Sequence, residues 1–348
     1  MEFTDKKAAR RLSGAFILKG CALGALLVYV IFSPLVMRPA YYCYLFWSRP
    51  YDKSLYDKAP YKKALGIEPQ DVFFDTVGGK LHGWYFKKPG SKNTILFCHG
   101  KGGNLTMFGY EAASLVKVGP SVLVFDYKGM GRSTGKPSLL GLQEDIDAAY
   151  NFLINEQQVS PDTLIVYAES LSTAPAAKLI AEKPCKGAVL RAPYTSLQGA
   201  GKRFFPHLAL YPSFLYPEPD LCCVPYTEKF VAPTLIVHGT QDRDIPVAEG
   251  DAVFKSLPCR KTLLHLANSG HYQCSSAMWL KLMKEYELFF SSLDQAGENK
   301  VQKRELQDDT TKDLGALPID DRLSQGYQIK TPAVAPADRD AHKRPVCL

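Results

Sequence analysis

LIVYAESLSTAPAAKLIA, residues 164–181, holds the junction on which the reading of this chain turns. Leu164–Tyr167 is a continuous apolar run, the pattern of a strand buried on both faces. Ala174–Lys183 spaces its apolar residues at helical intervals. A strand that turns so sharply into a helix holds the side chain at the turn out in the open. It needs small residues two places before and two places after. Ala168 and Ser172 occupy those places, where the pattern G-x-S-x-G has glycines. Ser170 is therefore a candidate nucleophile, although read alone such a serine is more often a helix N-cap.

The same alternation extends in both directions. Val72–Asp75 and Leu81–Phe86 read as strands around a Gly78-Gly79 turn. Thr94–Cys98, Val122–Phe125, Ala188–Leu190, Leu235–Val237 and Thr262–Leu266 are further short apolar runs. Leu139–Leu153, Val247–Leu257 and Ser276–Leu293 carry helical spacing. Buried strands alternating with helices predict a mostly parallel central sheet covered by helices on both faces. Residues 194–230 break the rhythm and are rich in Pro, Phe and Tyr, which suits a cap inserted over a site.

In such sheets the chemistry gathers at the carboxyl ends of the strands. Besides Ser170, three ends stand out. His99-Gly100-Lys101-Gly102-Gly103-Asn104 follows the Thr94–Cys98 run, and a glycine-rich turn there supplies a backbone N–H to an oxyanion hole. The Leu171 N–H would be the second donor. A phosphate loop is the poorer reading, because the GK[ST] ending is missing. Asp242 follows Leu235–Val237, where an acid can orient a histidine, with Asp244 as its near competitor. His271 follows the last strand, where a general base is needed. The order Ser170, Asp242, His271 is the chain order of a strand-to-helix nucleophile with its acid and base.

The whole chain has 348 residues, 46% of them apolar and 22% charged, the composition of a globular protein with a core. Its net charge of +7 comes without zinc-finger spacing or basic-aromatic interleaving, so nucleic acid is not an expected partner. Nine cysteines leave at least one unpaired in a monomer and show no metal-ligand spacing. No metal or cofactor is expected.

Both ends depart from this composition. Lys6, Lys7, Arg10 and Arg11 mark a basic segment over 1–11. The apolar stretch 12–37 is uncharged from Gly20 to Met37, about the length that crosses a hydrocarbon core. Tyr41, Tyr42, Tyr44, Phe46 and Trp47 follow, as aromatics do at a membrane interface. The expectation is a retained single-pass anchor at 12–37, a juxtamembrane linker at 38–69 and an endomembrane location such as the endoplasmic reticulum. The basic residues on both flanks leave its orientation open. Residues 294–348 are polar, charged and poor in aromatics, and read as a disordered tail.

Taken together, residues 70–293 resemble the α/β-hydrolase superfamily, and within it the Bem46-type and ABHD-type serine hydrolases, many of which carry an N-terminal membrane anchor. FCHGKGGN (97–104), FDYKGMGRSTGKPS (125–138), AESLSTAPA (168–176), RAPYTS (191–196), HGTQDRDIP (238–246) and SGH (269–271) carry the resemblance. It implies an α/β-hydrolase fold with Ser170 as nucleophile, Asp242 as acid, His271 as base, and oxyanion N–H groups from Lys101 and Leu171. The expected activity is hydrolysis of an ester or thioester, lipid-like in view of the aromatic stretch 204–217. The alternative is a catalytically weak or inactive scaffold, motivated by Ala168, Ser172 and Thr173 at the elbow.

Overall fold

A computed structural model describes residues 18–48, 51, 53–216, 219–295 and 301–307. The basic segment 1–11 lies outside them, as does most of the expected tail.

Among the described residues nine strands form one sheet in the order β1-β2-β4-β3-β5-β6-β7-β8-β9. The antiparallel part is β1 (Gln70–Thr76), β2 (Gly79–Phe86) and β4 (Ser121–Phe125). From β4 onward all neighbours run parallel: β3 (Thr94–Cys98), β5 (Leu164–Glu169), β6 (Gly187–Arg191), β7 (Thr234–Gly239), β8 (Lys261–Leu266) and β9 (Val301–Leu306). The last of these is an edge strand inside the segment read as a disordered tail.

The central strands are buried along their whole length. Alternate side chains therefore feed two separate cores. Leu96, Leu123, Val166 and Leu190 enter one, and Ile95, Phe97, Val124 and Tyr167 enter the other. Helices α4 (Gly109–Lys117), α5 (Leu139–Asn151), α6 (Thr173–Glu182), α9 (Val247–Ser256) and α10 (Ser276–Ser292) accompany these strands. Strand order reverses at β3: β4 lies on one side of it and β5 on the other. Such a switch point opens a crevice at the carboxyl ends.

Over this crevice lies the cap, with α7 (Leu197–Phe204), α8 (Val224–Thr227) and short 3-10 turns at Pro206–Leu210 and Ser213–Leu215. Glu249 of α9 ties it down. Its carboxylate accepts from the Thr195 N–H at 2.8 Å and from Arg203 at 2.7 Å.

The N-terminal expectation is corrected. Among the described residues no helix is long and apolar enough to cross a membrane. Helix α1 (residues 18–31) gives way to turns at 32–37 before α2 (Arg38–Leu45) begins. The physical cause is Pro34: it brings no N–H to the helix ladder and disfavours helical backbone at Ser33. Ser33 closes a turn by accepting from the Val36 N–H at 3.3 Å. Leu23, Leu26 and Leu27 stay exposed on α1.

Nothing in these residues supports the membrane partner, the single-pass topology or the endomembrane location. Of the aromatics expected at an interface, Tyr41 and Tyr44 instead meet the cap, as does Tyr29 of α1. Tyr29 stacks on Tyr211 at 4.5 Å, and its carbonyl accepts from the Tyr211 hydroxyl at 2.8 Å. Tyr41 meets His207 Nε2 at 3.0 Å, Tyr44 packs against Phe205 at 5.5 Å, and Phe46 is buried.

Candidate active site

Ser170 leaves β5 with φ 50°, in the left-handed region that a non-glycine residue rarely adopts. Such strain persists only where its surroundings enforce it. Here they do so through the two residues that depart from the glycine pattern. Ala168 is fully buried. The Ser172 hydroxyl donates to the Cys98 carbonyl at 2.6 Å and accepts from the Glu169 N–H at 3.1 Å. Thr173 adds a bond to the Ser170 carbonyl at 2.7 Å. The polar elbow thus locks the turn and pins the end of β5 to the end of β3.

His271 Nε2 lies 2.8 Å from Ser170 Oγ, and its Nδ1 lies 2.7 Å from Asp242 Oδ2. The other carboxylate oxygen, Oδ1, accepts from the N–H groups of Asp244 and Ile245 at 2.9 and 2.8 Å. Burial alone would raise the Asp242 pKa. Hydrogen bonds from His238, His271 and the Ile245 N–H outweigh it and hold the carboxyl well below its usual range. Asp242 therefore stays ionised, a carboxylate placed to accept from His271 Nδ1. Its sequence competitor Asp244 is exposed at the cavity rim and gives only its N–H to Asp242.

The glycine-rich loop 99–104 after β3 is held from two sides. Tyr127 donates to the His99 carbonyl at 2.9 Å, and Asp126 accepts from the Leu105 N–H at 2.6 Å. On the opposite side the Trp47 carbonyl accepts from the Gly103 N–H at 2.9 Å. Gly102 has φ 82°, and a Cβ there would lie 3.2 Å from the Trp47 ring, so backbone and space both favour glycine. Leu171 sits in the first turn of the 3-10 helix Ser170–Ser172, where N–H groups have no intrahelical partner.

Lys101, Ser170, Leu171 and His271 all line one cavity, which encloses about 1060 Å³ of atom-free space, part of it open to solvent. Its other walls are mostly apolar. The cap gives Leu197, Ala200, Gly201 and Leu208, and the N-terminal segment gives Tyr41, Tyr42, Tyr44 and Leu45. Sequence reasoning assigned those tyrosines elsewhere, and it did not single out Tyr272, which also lines the cavity. No spacing rule exposes either, because both act through contacts distant in sequence.

Under the elbow, Arg191 reaches Glu111 at 2.9 Å and Glu169 at 3.0 Å, all three buried. Burial, followed by the Glu111 charge, pushes the Glu169 pKa well up, while Arg191 opposes the rise.

Comparison with known proteins points to a hydrolase. Residues 89–218 match the model of a hydrolase family described as serine aminopeptidase, S33. An uncharacterized protein of Mycobacterium tuberculosis is 32% identical over 217 residues, 61% of this chain and 76% of that protein. Alpha/beta hydrolase domain-containing protein 17C of Xenopus tropicalis is 30% identical over 225 residues, 63% of this chain and 70% of that protein. Among solved structures an esterase of Pyrococcus furiosus shares the fold. Its TM-score is 0.55 at 22% identity, covering 66% of this chain and 93% of that one. The chain belongs to the alpha/beta-hydrolase family, and it is a serine hydrolase.

Proposed function

We propose that this hydrolase cleaves esters or thioesters of apolar acyl groups through an acyl-enzyme on Ser170. The observation that carries the reading is the Ser170–His271–Asp242 chain of short contacts opening onto an apolar cavity. His271 Nε2 takes the hydroxyl proton as Ser170 Oγ bonds to the acyl carbon. Asp242 stabilises the imidazolium that results. The N–H groups of Lys101 and Leu171 receive the oxyanion, each worth about 3–4 kcal/mol of transition-state stabilisation. The imidazolium then gives its proton to the leaving alcohol or thiol. Water, deprotonated by the same imidazole, releases the acid and restores Ser170.

The test is labelling of the folded protein by a fluorophosphonate probe. Labelling lost in Ser170→Ala and kept in Ser172→Ala supports the assignment. Labelling that survives Ser170→Ala refutes it.

A second reading is amide cleavage at a free amino terminus, as the name of the matched family suggests. Two carboxylates, Asp220 and Asp244, reach the same cavity and would suit an ammonium group. It ranks second because the remaining walls are mostly apolar. Faster turnover of aminoacyl anilides than of acyl esters would reverse the ranking.

A further inference from the structure

One hydroxyl beside the nucleophile is not used by the triad. Tyr272 follows His271 and sets its ring edge-on against the imidazole, with centroids 4.4 Å apart and planes at 75°. Its oxygen is buried and meets no partner at good hydrogen-bond geometry among the described residues, and the polar group close enough to act on it is the Ser170 side chain, which opposes the rise that burial gives its pKa. Folds rarely leave a buried donor unpaired, because the lost hydration is not recovered.

The position of this oxygen is informative. A Cβ built on Gly100 would lie 2.2 Å from Tyr272 Oη and 3.3 Å from Ser170 Cβ. Gly100 does not have a left-handed backbone, so conformation does not demand glycine there. What excludes a side chain is the Tyr272 hydroxyl. That hydroxyl thus crowds Gly100, the residue before Lys101, where a Cβ would also near Ser170, the residue before Leu171, and Lys101 and Leu171 are the two proposed oxyanion donors. Burial first, then the Glu169 charge, raises its pKa above that of an ordinary phenol, so it keeps its proton.

We propose that Tyr272 is a further catalytic residue whose hydroxyl gives a third hydrogen bond to the oxyanion formed when Ser170 attacks the acyl carbon. The inference rests on the Ser170 reading above. As the Oγ–C bond forms, the carbonyl π pair moves onto oxygen, and the serine proton goes to His271. The Tyr272 hydroxyl, next to Ser170 in the free protein, then finds a charged acceptor. A merely structural Tyr272 would act through its ring against His271, and a phenylalanine would keep that contact.

The experiment compares wild type, Ser170→Ala and Tyr272→Phe on 4-nitrophenyl butyrate, together with thermal unfolding and inhibition by an aryl trifluoromethyl ketone. For Tyr272→Phe, kcat should fall about 10- to 100-fold with KM nearly unchanged, since the charge exists only in the transition state. Affinity for the ketone, which forms a charged adduct with the serine, should fall alongside. Tm should stay equal or rise, because the variant removes an unpaired buried hydroxyl. A kcat within about twofold of wild type overturns the proposal, and so does a parallel fall of kcat and Tm. Hydrolysis that survives Ser170→Ala, or none in the wild type, overturns the underlying reading instead.

Discussion

The Ser172 hydroxyl donates to the Cys98 carbonyl across the boundary between β5 and β3, at 2.6 Å. This bond joins the strand that leads into Ser170 to the strand that leads into the glycine-rich loop 99–104. A glycine at position 172 would satisfy the elbow's need for space and forgo the link. Ser172→Ala leaves a buried carbonyl and the Glu169 N–H without this partner. Its expected cost is about 1–3 kcal/mol of stability, read by urea unfolding, with nucleophile labelling retained.

Asp242→Asn should be far more damaging to turnover than to folding geometry. An amide in its place favours the wrong imidazole tautomer, and kcat should drop about 10⁴-fold. Asp244→Asn should change kcat little, since only its backbone touches Asp242. Steady-state kinetics on a common ester separates the two.

Acid should weaken the fold partly through the same carboxylate. The folded pKa of Asp242 lies below its unfolded value. Its contribution is therefore complete above the unfolded pKa, ~3.9. It is lost as pH falls through the lower folded pKa. Between about pH 4 and pH 2, wild type should lose stability more steeply than Asp242→Asn. Denaturant midpoints measured across that window check the slope, and parallel slopes would contradict it.

Gly201 of α7 lines the cavity, and a Cβ there would meet only Leu208 Cδ1, at an ordinary 3.7 Å. Gly201→Leu should fold well and shorten the room for an acyl chain. KM for decanoyl esters should rise about tenfold, equivalent to burying one or two fewer methylenes at ~0.8 kcal/mol each. Acetyl esters should be unaffected. A series of 4-nitrophenyl esters of increasing length measures both.

Arg191 compensates two buried carboxylates, Glu111 and Glu169. Arg191→Leu removes that charge and should destabilise the protein by about 3–5 kcal/mol. Adding Glu111→Gln and Glu169→Gln should recover part of the loss, which equilibrium unfolding of the single and triple variants would show.

The pattern of short apolar runs and helical spacings determined the central sheet, because burial on both faces demands uninterrupted apolar strands. It also put Ser170, Asp242 and His271 after apolar runs that became β5, β7 and β8, since strand ends are visible as changes of residue type. Helix α4 was not legible in that way, nor was edge strand β9, whose VQKREL has little apolar content. Tertiary structure alone chose Asp242 over Asp244, because backbone N–H groups solvate one and leave the other at the rim. It also moved Tyr41, Tyr42 and Tyr44 from an expected membrane interface to the wall of the cavity. Hydropathy records that residues 18–47 avoid water, but not which surface takes its place. Pro34 ends α1, and the cap then supplies the partners: Tyr211 for Tyr29, His207 for Tyr41 and Phe205 for Tyr44. Contacts between residues more than 150 positions apart leave no mark in local spacing, so only the folded chain decides them.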